Sequence, residues 1–288
     1  MISQSELIKE SDKINKNNYT YSNDALYGLC GGLSIIPAPG CTNKTTLDKF
    51  ASAMLIIGRT YSASPERRKT ANKNKNYNNG SGNFFNELTC QAVKNKTYKI
   101  MYDELKNIEN EKYHYHDNSH DYELLSKSLV CVSLFNQVLV EAICSLDEGK
   151  AIELLDDTER ANFRDNYSFC SKFLHFVLPD IFFIKDTISF DGAKKFYKIL
   201  NEKEVHDEPK QWAKESVKQI NVTLIEKTRN NTKDYASHIF REYEIALVLN
   251  RNNIKPIAQV KEYLNKTNND PVCSMPRLVD AVVMNFKN

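Results

Sequence analysis

Between Phe169 and Asp186 the chain brings an amine and a carboxylate within reach of common chemistry. At about 100° per residue, Phe169, Phe173 and Phe176 fall on one helical face, with Lys172 and His175 together at its edge. A lysine bordering apolar surroundings is expected to be partly buried. Burial disfavours the ammonium form, and the neutral amine is a nucleophile at neutral pH. Pro179 closes that helix, and the short apolar, β-favouring run Ile181, Phe182, Phe183, Ile184 then delivers Lys185, Asp186 and Thr187 to the start of another helix. Asp186 is therefore expected to cap that helix or to lie beside Lys172 in a cleft, and the two roles are compatible. The same residues also admit a purely architectural account: a lysine at a helix edge is usually solvated, and an aspartate before a helix is usually a cap.

This segment resembles the lysine-to-aspartate stretch of the helix-hairpin-helix base-excision DNA glycosylase superfamily, as a divergent member would. The resemblance covers residues 169–186: Ser171 and Lys172, the hydrophobic run, Pro179, then Phe183, Ile184, Lys185 and Asp186, with Phe183 where the family's turn carries its first proline. A second similarity lies in Pro276, Arg277, Asp280 and Met284, which resemble a C-terminal helix of relatives sharing that stretch. The resemblance implies a glycosylase, with or without AP lyase activity, that removes a damaged or modified base. An extruded nucleotide enters a pocket because its glycosidic bond is unreachable within the duplex. The Lys172 amine attacks C1′, Asp186 accepts a proton or stabilises oxocarbenium charge, and a Schiff base permits strand cleavage by β-elimination. No metal and no cofactor is implied. Two departures stand out. Asn162 to Ser168 contains no glycine, where the family uses a Gly-rich hairpin to hold a DNA phosphate. Cys273 is the one cysteine after Cys170, so a C-terminal four-cysteine iron–sulfur cluster is ruled out.

A second constellation runs from Gly58 to Lys69. Arg59, Arg67 and Arg68 suit phosphates and Tyr61 suits stacking on a base, so these residues, with His175, are the expected DNA contacts. Basic residues closing a helix also simply complement its dipole. His114, His116, His120 and Asp121 combine ligand types used by zinc and related ions, but their spacing fits no metal site, and a polar interhelical loop is expected there. Gly28, Gly31 and Gly32 form neither a dinucleotide fingerprint nor a P-loop; with Pro37, Pro39 and Gly40 they are expected either as ordinary turns or as a wall of the substrate pocket.

The elements that must position these residues are helical. Nine glycines and eight prolines are few for 288 residues, which disfavours an all-β fold with its many turns. The periodicity predicts helices over 45–62 (capped at Thr45 or Thr46), 84–110, 121–146, 158–177, 189–200, 209–228, 233–250, 256–266 and 276–286, with a loop at 72–83. The expected fold class is mainly α. It is a compact multi-helix, glycosylase-like unit over 1–288, with a catalytic core at 121–200 and two helical subdomains around a cleft as an option.

Hydrophobic content of 41% with 26% charged residues suffices for a substantial core. The net charge of +2 neither demands nor excludes a polyanionic partner. Seven scattered cysteines without a CxxC pair point to a reducing, cytoplasmic setting. No signal peptide is expected and no stretch of ~20 apolar residues, hence no membrane partner. Two rivals to the glycosylase reading are a non-catalytic helical protein that binds nucleic acid or a protein partner on a glycosylase-like scaffold, and a metal-dependent nuclease built on His114 to Asp121.

Overall fold

The computed structural model describes residues 21–61, 63, 65, 82–115, 121–161, 165–200, 208–219, 226–252 and 274–285. They form α1 (Tyr21–Cys30), α2 (Lys44–Thr60), α3 (Gly82–Ala92), α4 (Lys96–Ile108), α5 (Tyr122–Glu148), α6 (Asp157–Ala161), α7 (Tyr167–Val177), α8 (Thr187–Leu200), α9 (Glu208–Gln219), α10 (Glu226–Arg251) and α11 (Met275–Asn285). Among the described residues there is no strand. The fold is mainly α, as expected. The helix expected at 256–266 and nearly all of the 72–83 loop lie outside the described residues; Gly82 and Asn83 already belong to α3.

The long helix α5 is the axis of the molecule. It is buried almost all round from Leu124 to Ser145 and packs against α3, α4, α7 and α10, which is why its sequence is apolar without a polar stripe. By length and composition it passes for a membrane span, contrary to the expectation of no such stretch, yet 89% of that apolar window is inside the protein. Gly149, with φ 66°, ends it in the left-handed conformation and donates its N–H to Ser145 O.

Several helix ends differ from expectation. α2 is capped by the Asn43 side chain, which accepts the Thr46 N–H at 3.1 Å, rather than by Thr45 or Thr46. The single helix expected at 84–110 is two. Asn95 breaks it, capping α4 through Thr97 N at 2.8 Å while its amide donates to buried Glu141 at 2.7 Å. Likewise 158–177 divides into α6 and α7, and α6 opens with a reciprocal Asp156–Glu159 box, two residues before the expected start.

Helix α7 is enclosed by α1, α2 and α5, and every one of its residues except Ser168 is buried. Phe173 meets Phe50 of α2 and Phe135 of α5 edge-on or tilted, with ring centroids 5.4 and 5.5 Å apart. The apolar run after Pro179 is buried but pairs with no strand. Its carbonyls are taken by side chains instead: Phe182 O by His175 Nδ1 at 2.8 Å, Phe183 O by the Tyr235 hydroxyl at 3.4 Å, and Ile184 O by His238 Nε2 at 2.9 Å. Buried backbone groups need partners, and those donors make a β-ladder unnecessary. α8 then packs against α10 and α11; the contact with α11 is close enough that a Cβ on Gly192 would lie 1.8 Å from Val283 O.

Candidate active site

The turn into α8 is held at both sides. Ser171 Oγ of α7 accepts the Lys185 N–H at 3.0 Å. Asp186 Oδ1 accepts the Ser189 N–H at 2.8 Å and Ser189 Oγ accepts the Asp186 N–H at 3.0 Å, a reciprocal cap of α8. The remaining oxygen, Asp186 Oδ2, faces Lys172 Nζ at 3.6 Å. Lys172 also lies 3.4 Å from Ser168 Oγ and 5.3 Å from the centre of the Tyr61 ring, a cation–π distance. Its side chain is 4% exposed and that of Asp186 24%. The capping and cleft roles foreseen for Asp186 therefore coexist in one carboxylate.

Both residues line a cavity of about 680 Å³. Its walls come from four places in the chain: Tyr61 and Ala63 after α2, Asp165 to Lys172 at the start of α7, Lys185 to Phe190 around the start of α8, and Asn231 and Asp234 of α10. Asp165 is fixed there by Asn136 of α5, whose amide donates to Oδ1 at 3.0 Å, and by Asn231, whose amide donates to Oδ2. The Lys185 ammonium lies over the rings of Tyr167, Phe190 and Tyr235 at 5.7, 5.3 and 5.9 Å. Aromatic faces thus alternate with charges of both signs, which suits a flat, polar ligand better than a wholly anionic or wholly apolar one.

Electrostatically, burial pushes the Asp186 carboxyl up, but the Ser189 N–H, the Lys172 charge and the Ile188 N–H outweigh it and leave it below the ordinary aspartate value. Asp186 is an ionised acceptor at neutral pH.

The other expected contacts separate. Tyr61 lines the cavity; Arg59 is exposed on the last turn of α2 and outside the cavity lining; Arg67 and Arg68 lie outside the described residues. His175 is fully buried and does not face the cavity. Its Nδ1 donates to Phe182 O and its Nε2 accepts the Tyr27 hydroxyl at 2.7 Å, so it is a core histidine and not a nucleic-acid contact. Burial pulls it down to about 3, which keeps it neutral. The glycine-rich segment is not a wall of this cavity: Gly28 lies within α1, and Gly31 and Gly32 follow its end, where Gly32 N donates to Val177 O, at the far end of α7 from the cavity mouth residues. His114 contacts Asp121, its Nδ1 at 3.5 Å and its N–H at 2.6 Å, and no group of three metal-ligating side chains occurs among the described residues.

Sequence reasoning missed Asp165, Lys185, Phe190, Asn231 and Asp234. Lys185 and Phe190 flank Asp186 and were within sight of the motif, whereas Asn231 and Asp234 reach the cavity only because α10 packs beside α8. No protein-family model, curated protein or solved structure matches this chain.

Proposed function

We propose that the protein is a DNA glycosylase in which Lys172 is the nucleophile and Asp186 its proton acceptor. The observation that carries this reading is the buried Lys172 amine 3.6 Å from an ionised carboxylate at the wall of a nucleotide-sized, aromatic-lined cavity. An amine facing a base at ion-pair distance, with the base oriented by a third group, is the ground-state arrangement from which nucleophilic catalysis starts; here Ser189 and its backbone N–H orient Asp186.

In the proposed reaction Asp186 takes the proton that Lys172 must lose. The Nζ–C1′ bond forms as the C1′–N glycosidic bond breaks, and the base departs with the bonding pair and receives a proton. Opening of the C1′–O4′ bond gives a protonated Schiff base and a sugar hydroxyl. Loss of the C2′ proton from that intermediate expels the 3′ phosphate, which is the lyase step. The flipped base stacks within the aromatic walls of the cavity, with Tyr61 among them.

The test is borohydride trapping on oligonucleotides carrying abasic sites, oxidised bases or modified cytosines, wild type beside Lys172→Ala. A covalent adduct that disappears in the variant is expected, unaffected by a chelator. No adduct and no base release across the panel would leave a nucleic-acid- or partner-binding role for the cavity, and inhibition by the chelator would point to the nuclease.

A further inference from the structure

The peptide group between Ile184 and Lys185 is gripped from two helices. Its N–H, that of Lys185, donates to Ser171 Oγ of α7 at 3.0 Å, and its carbonyl, that of Ile184, accepts from His238 Nε2 of α10 at 2.9 Å. A carbonyl can only accept, so Nε2 carries the imidazole proton. Ser171 and His238 are both fully buried, and neither lines the cavity. His238 Nε2 also lies 3.3 Å from Glu242 Oε2, one turn further along α10, yet that carboxyl makes no hydrogen bond, so the backbone carbonyl is the partner the imidazole serves. The His238 ring packs 5.7 Å from that of Phe190, a wall of the cavity.

A peptide group is planar and rigid, so holding both of its polar atoms fixes its orientation. Between that plane and the Asp186 N–H, which Ser189 Oγ accepts at 3.0 Å, only the φ and ψ of Lys185 remain. Ser189 Oγ also reaches the Ile184 carbonyl at 3.3 Å, joining the gripped peptide to the cap of α8. On the other side, Ser171 immediately precedes Lys172, and its hydroxyl donates to Ser168 O at 3.4 Å. The segment that carries Asp186 is thereby tied to the helix that carries Lys172, and the tie sets the 3.6 Å between amine and carboxylate.

We propose that His238 and Ser171 are positioning residues, which aim the Asp186 carboxylate at the Lys172 amine through the Ile184–Lys185 peptide and touch no substrate themselves. The inference rests on Lys172 and Asp186 being the reacting pair.

The experiment compares full-length His238→Leu, which keeps an apolar filling but removes the N–H, with His238→Gln, whose amide offers an N–H in its place. In borohydride trapping at saturating oligonucleotide the leucine variant is expected to form adduct slower by about tenfold or more, with the half-saturating concentration within about twofold of wild type, while the glutamine variant recovers most of the rate. A carbon NMR titration of the Asp186 carboxyl, without nucleic acid, is expected to rise in the leucine variant: burial raises this carboxyl, and the Lys172 charge that helps hold it down has moved away. Ser171→Ala, which releases the same peptide from α7, is expected to act likewise and decides the matter if His238→Leu does not fold. A folded leucine or alanine variant whose Asp186 titration is unchanged or lowered overturns the proposal. So does a glutamine variant as slow as the leucine one, because lost packing and not the hydrogen bond would then be the cause. An Asp186 titration that rises as expected, while no adduct forms and no base is released from any substrate, counts against the glycosylase alone and leaves the positioning role standing.

Discussion

Lys172 Nζ lies 3.6 Å from Asp186 Oδ2 while Oδ1 of the same carboxylate caps α8 through the Ser189 N–H at 2.8 Å. One side chain fixes the start of a helix and faces the amine across the cavity wall, so its two functions are separable by substitution. Asparagine caps a helix as well as aspartate does, but cannot accept a proton. Asp186→Asn and Asp186→Ala are expected to lose base release alike, by about 10²- to 10⁴-fold. They should differ in stability by about 1 kcal/mol, the value of the cap, in urea unfolding. Retained base release in the asparagine variant would reduce Asp186 to a cap.

Tyr61 places its ring 5.3 Å from the Lys172 ammonium, and burial pushes its phenol up to about 12, so the hydroxyl stays neutral. Tyr61→Phe is expected to keep the trapped-adduct yield within about twofold. Tyr61→Ala, which removes both the cation–π contact and a cavity wall, should lower it by about tenfold. Equal losses in the two variants would show that the hydroxyl, not the ring, is what matters.

Gly192 is where α8 and α11 touch. A methyl group there would meet Val283 O at 1.8 Å, and backbone cannot yield as a flexible side chain does. Gly192→Ala is expected to destabilise the protein by about 1–3 kcal/mol and to displace α11. Urea unfolding measures the first effect, and a change in amide hydrogen exchange along α11 measures the second. An unchanged unfolding midpoint would contradict the packing described.

His175 and His238 are both fully buried, and burial pulls each down to about 3. Their unfolded counterparts take up protons from about pH 6.5 downward. The stability that comes from keeping them neutral is therefore complete above about pH 6.5 and is lost as pH falls toward 3, at up to about 1.4 kcal/mol per pH unit for each histidine. Asp280 and Glu242, raised by burial, act with the opposite sign in acid, so the comparison has to be a difference. Urea midpoints of the wild type minus those of His175→Gln should decline with falling pH across that window. A difference that stays flat would mean that His175 is not held neutral in the fold.

Periodicity carried a long way along this chain because helix formation is local. Phe169, Phe173 and Phe176 do form the packed face of α7, and α2, α5, α8 and α11 lie close to where their apolar spacing puts them. The β-favouring run Ile181 to Ile184 misleads for a physical reason: its carbonyls find donors on Tyr235 and His238, more than 50 residues later, and side chains do the work of a partner strand. His175 misleads differently. A helical wheel gives direction but not depth, and α7 is covered on both sides, so a residue at the edge of one apolar face points at Tyr27 and Phe182 instead of at solvent.

What the sequence determined by itself was the helical class, because helix formation depends on local spacing; it offered the pairing of Lys172 with Asp186 as one of two accounts of that segment, the other being a solvated lysine and a plain helix cap. Only the tertiary structure decided that Tyr61, Asp165, Asn231 and Asp234 wall the same cavity and that His175 does not. Those relations join residues far apart along the chain. They follow from which helices bury their faces against one another, and that is settled by packing over the whole core rather than by any local pattern.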